Sequence, residues 1–145
     1  MELHIGKWLM ALGAGVVVTI GFDAIMHGLS HGGHGILDSL WKDEKLQRSS
    51  STILFGNIMW HVLADFLLGF VLSLLIAISQ QKTLSAWIIS GILLGFLMAI
   101  AWIHLYAAFE INGKTASILG LLSVLQATLA SVVIGWVYSR GPGGY

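Results

Sequence analysis

Four long apolar stretches, at roughly 8–28, 54–78, 84–108 and 116–138, alternate with short polar segments along the chain. Crossing a hydrocarbon layer of about 30 Å in helical form takes ~20 predominantly apolar residues. Each stretch reaches that length. None shows the two-residue alternation of a strand, and only a helix satisfies its backbone polar groups within one segment. The pattern predicts an all-α integral membrane protein, a four-helix bundle forming one domain over residues 1–145. The first run, from Trp8 onward, exceeds a signal-peptide core in length and reads as a retained span.

The segments between the spans carry helix-end chemistry. Ser49, Ser50, Ser51 and Thr52 offer capping oxygens before the second span, Thr83 before the third and Thr115 before the fourth. Asn112-Gly113 is a tight-turn pair. Odd and even crossings then define two sides. Side A holds the N-terminus, the Gln80–Thr83 turn and the C-terminal tail; side B holds the 29–52 loop and the Glu110–Lys114 turn. Tryptophans favour the headgroup level, and they agree with this division. Trp8, Trp87 and Trp136 fall at side A, Trp60 and Trp102 at side B, and Trp41 in the loop. In that loop Ile36, Leu37, Leu40 and Trp41 recur at helical spacing. This predicts a short interfacial helix with Asp38, Lys42, Asp43 and Lys45 towards water.

Composition sharpens the picture by exclusion. Charged residues make up only 10% of the chain and hydrophobic ones 57%, whereas a water-soluble domain carries about a quarter charged residues. The chain contains no cysteine, which removes disulfides, thiolate zinc sites and cysteine-bound iron–sulfur clusters. Its formal net charge is zero, which gives nucleic acid no electrostatic foothold; membrane lipid is the expected surrounding. Lys7, Lys82 and Arg140 on side A are barely offset by acids, which favours a cytoplasmic side A in the inner (plasma) membrane.

Polar residues inside the spans require separate explanation, because a charge at mid-helix costs at least ~2.5 kcal/mol on insertion scales. Gly15, Thr19, Asp23 and His27 recur every four residues on the first span, and Asn57, His61 and Asp65 do so on the second. His104 lies near the end of the third. All belong to the side-B half. One explanation is structural, with these groups as polar glue between helices. Another is a transition-metal site built from Asp23, His27, His61 and Asp65, with His31 and His34 at the water edge and Met26 and Met59 as soft donors. A third is a tetrapyrrole held by His61 and His104. A proton relay through Asp65 and His61 is the fourth.

The third and fourth spans also carry smooth faces. Gly91, Gly95 and Ala99 share one side of the third, set about 180° from His104 at ~100° per residue. Ser117, Gly120, Ala127, Ser131 and Gly135 line the fourth, with Gln126 opposite. Small residues let backbones approach closely, and packing drives association in lipid. With the polar faces turned inward, these smooth faces are expected to meet another membrane subunit.

The first-span element GFDAIMHG (Gly21, Asp23, His27, Gly28) resembles that of a family of bacterial four-transmembrane-helix proteins with no assigned reaction. The second-span WHVLADFLLGFVLSLLIA and the closing ATLASVVIGWVYSR, with Gly135, Tyr138 and Arg140, extend the likeness. The resemblance implies a four-helix inner-membrane architecture. The His31–His34 stretch and the loop before the second span depart from it.

No nucleophile with a paired base and no phosphate-cradling loop is present, so the expected role is not enzymatic. The expected function is an accessory subunit of a larger membrane complex, in respiratory or photosynthetic electron transfer. The alternative is a His/Asp metal- or haem-binding module.

Overall fold

The structure, a computed structural model, describes residues 4–27, 53–108 and 113–141, and the side chains of 27, 53–58, 60 and 61 fall outside that description. Among the described residues there are four helices and no strand: α1 (Ile5–His27), α2 (Ile53–Ser79), α3 (Leu84–Ala108) and α4 (Gly113–Arg140). Each is long and apolar enough to cross a membrane. The protein is a multi-pass membrane helix bundle. Helix boundaries follow the sequence pattern within a few residues. The expected interfacial helix over Ile36–Lys45 lies outside the described residues, as do the Ser49–Thr52 cap and Asn112.

Local chemistry accounts for two of the helix ends. Thr83 caps α3, its Oγ1 accepting the backbone N–H of Ala86 at 3.3 Å. α2 stops at Gln80, which adopts φ 49° and so takes the left-handed conformation that ends a helix. One expectation fails here. α4 already begins at Gly113, so Thr115 is buried within the first turn instead of capping it.

The helices are not equivalent. α4 packs against all three others, and α3 touches α4 extensively but α2 only sparsely. Half of the α4 membrane window is buried, against 17% for α1 and 22% for α3. α4 therefore occupies the centre and is covered on two sides. Its Ala127, Ala130 and Ile134 join Ala11, Leu68, Leu72, Ile76 and Trp87 in one apolar core. That core runs from mid-membrane towards side A, and the buried polar groups Thr19, Asp65, Ser123 and Gln126 lie at mid-membrane and in the side-B half.

Close backbone approach sets both contact faces of α4. A Cβ at Gly91 would lie 2.5 Å from Thr128 Cα, one at Gly95 would overlap Val124 Cα, and one at Gly135 would overlap the Trp87 ring. Gly120 sits against Ala99, which a Cβ there would meet at 3.3 Å. Gly91, Gly95, Ala99, Gly120, Ala127, Ser131 and Gly135, expected to face a second subunit, instead belong to the α3–α4 contact of this chain. The expectation assumed one buried face per helix; a central helix buries two. A hydrogen bond from Ser131 Oγ to the Trp87 carbonyl, 2.7 Å, locks the same interface. Towards side B, Trp102 Nε1 donates to Ser123 Oγ at 3.1 Å.

Candidate functional site: a carboxylate cluster inside the bundle

On the opposite side of α4 the approach is between α1 and α2. Gly15 and Gly69 cross, and a Cβ on Gly69 would stand 3.1 Å from the Val16 nitrogen. One turn further along α1, this proximity brings Thr19 within reach of the α2 backbone. Thr19 is fully buried, and its Oγ1 donates towards the carbonyls of Val16 (3.0 Å) and Asp65 (3.2 Å).

Gln126 on α4 closes the cluster. It is buried, and its Nε2 lies 2.9 Å from Asp65 Oδ1, 3.1 Å from Asp23 Oδ1 and 3.2 Å from the Thr19 carbonyl. One amide nitrogen thus gathers three oxygens from two helices. It carries two hydrogens, so the three acceptors share two donors. Asp65 is buried and Asp23 half-buried. Neither α1 nor α2 holds a lysine or arginine within a turn of its aspartate.

The helical register adds a second tier. α1 runs from side A to side B and α2 returns. His27, four residues after Asp23, and His61, four before Asp65, therefore both fall one turn nearer side B on the faces that carry the carboxylates. Their side chains, and all of His31 and His34, lie outside the described residues.

Other expected site residues are placed differently. His104 is exposed on α3 and does not enter the interior where Asp23 and Asp65 meet. The expected tetrapyrrole pair of His61 with His104 across the bundle core is thereby withdrawn. α3 docks on α4 through the glycine face opposite His104, and that docking turns the imidazole outward. Met59 is 70% exposed and so is not an interior sulfur donor. Among the described residues no three His, Asp or Glu side chains stand close enough to hold a metal.

Gln126 is the member that the sequence pattern left out of the site. Its signal was present: it is a lone amide halfway along a span, opposite the smooth face. Mid-span polarity is costly enough to demand partners, and depth alone would have matched it to Asp65.

No protein-family model, curated protein or solved structure matches this chain. The geometry of the cluster carries the functional reading.

Proposed function

We propose that the chain is a membrane-embedded cation-binding module that holds a divalent transition metal in the side-B half of the bundle. The observation behind this is the convergence of Asp23 and Asp65 on one Gln126 nitrogen, from helices far apart in sequence. Asp23 and Asp65 supply oxygen ligands, and His27 and His61, one turn nearer side B, supply imidazoles. Mixed carboxylate–imidazole sets suit zinc, manganese or ferrous iron. Turning the Gln126 amide about its last torsion exchanges Nε2 for Oε1, so the group that bridges the two carboxylates becomes a further oxygen donor. His31 and His34, outside the described residues, remain further ligand candidates by their position in the sequence. Binding rather than catalysis is assigned.

A second reading retains the role of accessory subunit in an inner-membrane electron-transfer complex. With the glycine faces buried inside the chain, its support is the outer side of α3. That helix is held mainly through α4 and exposes Leu93, Phe96, Leu97 and Ile100. Lipid alone covers such a face equally well, which makes this reading second. We place both termini on the cytoplasmic side, on the strength of Lys7, Lys82 and Arg140.

Elemental analysis after purification in metal-replete buffer tests the first reading. About one metal per chain is expected, lost in Asp65→Asn and His61→Ala and retained in His104→Ala and His4→Ala. A wild-type protein with only trace metal would overturn it. Gentle solubilisation with mass measurement tests the second, which a solitary monomer would refute.

A further inference from the structure

Although α4 lies at the centre, one of its faces stays uncovered. α2 packs on α1 and touches α3, whereas α1 and α3 share no substantial contact among the described residues. The neighbours of α4 therefore run α1, α2, α3 around it, and its open side lies between α1 and α3. Leu121, Leu125 and Leu129, at four-residue spacing, continue through half-buried Val132 to Trp136 and Arg140 along that side. The three leucines and Trp136 are between 45% and 71% exposed. The result is an apolar strip floored by the central helix, flanked by two others and ended at side A by a cation.

Arg140 is held in a defined way. Its guanidinium lies 4.8 Å from the centroid of the Trp136 ring, and stacking on an indole orients the planar fork of N–H donors. Ser139 Oγ donates to the Trp136 carbonyl at 2.8 Å, so this last-turn acceptor is satisfied locally. Among the described residues the guanidinium meets that ring and no carboxylate, and α4 itself contains no Asp or Glu.

Depth and charge identify the occupant. Trp8, Trp87 and Trp136 mark this end as headgroup level. At ~1.5 Å per residue, about 16 Å of helix separates Trp136 from Leu125, half of a hydrocarbon layer of about 30 Å. One acyl chain of the side-A leaflet thus covers Trp136, Leu129 and Leu125. We propose that the strip is a binding site for a phospholipid with an anionic headgroup. Its phosphate sits on the Arg140 fork, a geometry suited to two parallel hydrogen bonds, and one acyl chain lies along α4. A second copy of the chain suits the strip less well. A two-fold axis along the membrane normal would set two Arg140 side chains opposite each other at one depth, and such like-charge contacts are unfavourable. The site is separate from the cluster around Gln126 and does not rest on its reading.

Native mass spectrometry of the full-length chain in detergent, with equal amounts of phosphatidylglycerol and phosphatidylcholine added, tests the proposal. Wild type should prefer phosphatidylglycerol about fivefold, the effect of one cation near anionic lipid, and Arg140→Gln should abolish the preference. Trp136→Leu keeps the apolar cover but releases the guanidinium, and should weaken the preference about threefold. Both positions are exposed, so neither change disturbs the core. Lys82→Gln removes a charge at the same end and should leave the preference unchanged. Equal retention of the two lipids by wild type, or equal losses in Arg140→Gln and Lys82→Gln, would overturn the proposal. A wild-type dimer that Leu129→Trp dissociates would assign the strip to a second copy and overturn it as well.

Discussion

Gln126 and Asp65, 61 residues apart in sequence, are joined side chain to side chain at 2.9 Å inside the bundle. The bond ties the central helix to α2, and through the same nitrogen to Asp23 and Thr19 on α1. Three helices are therefore held in register by one amide. In lipid, where apolar contact gives helices little reason to prefer one another over acyl chains, such a bond fixes rotation as well as proximity.

Replacing that amide should be felt throughout the bundle. Gln126→Leu takes their shared donor from the Asp23 and Asp65 oxygens and the Thr19 carbonyl, and loss of a buried hydrogen-bond partner costs about 1–3 kcal/mol. Thr19→Val removes a single interhelical bond and should cost about 0.6 kcal/mol. Reversible unfolding in mixed micelles gives both values. Equal losses in the two variants would refute the hub role of Gln126.

The α3–α4 seam predicts a sharp contrast among glycines. Gly95→Val places its side chain into the Val124 backbone and should destabilise the protein by about 1–3 kcal/mol or more. Gly13→Ala meets nothing within 4 Å and should be neutral or gain up to about 1 kcal/mol from helix propensity. Thermal unfolding in detergent compares them. If Gly95→Val instead left stability intact and dissociated an oligomer, the seam would belong between chains.

Gln80 offers a stabilising change. Glycine adopts a positive φ without the Cβ clash, so Gln80→Gly should raise stability by about 0.5–1 kcal/mol if the turn keeps its shape. An unchanged or lowered midpoint would show that the Gln80 side chain supplies contacts worth more than the strain.

The cysteine-free sequence makes topology directly measurable. Ser139→Cys and Lys114→Cys place single thiols at opposite ends of α4. In intact bacterial cells a membrane-impermeant maleimide should label Lys114→Cys and spare Ser139→Cys. The reverse pattern would invert the orientation.

Much of the architecture was legible in the chain. Span number, approximate boundaries and the Thr83 cap follow from hydropathy, length and local hydrogen bonding, none of which depends on distant partners. The i+4 ladders placed Thr19 with Asp23 on α1 and set Asp65 on α2, and the structure joins them. His104 and the glycine faces were misjudged for one common reason. The sequence shows that a helix has two distinct faces but not how many of them neighbours cover.

The sequence by itself determined that this is a multi-pass helical membrane protein with carboxylates buried in its spans. The transfer free energy of a span sums over its own residues, whatever lies beside it. Only the tertiary structure decided that α4 sits at the centre, that its glycines meet α3 and not another chain, and that Gln126 unites Asp23 with Asp65. Those choices depend on how surfaces distant along the chain fit together. Backbone approach at Gly95 and Gly69 and the reach of one amide set that fit, and no single segment encodes it.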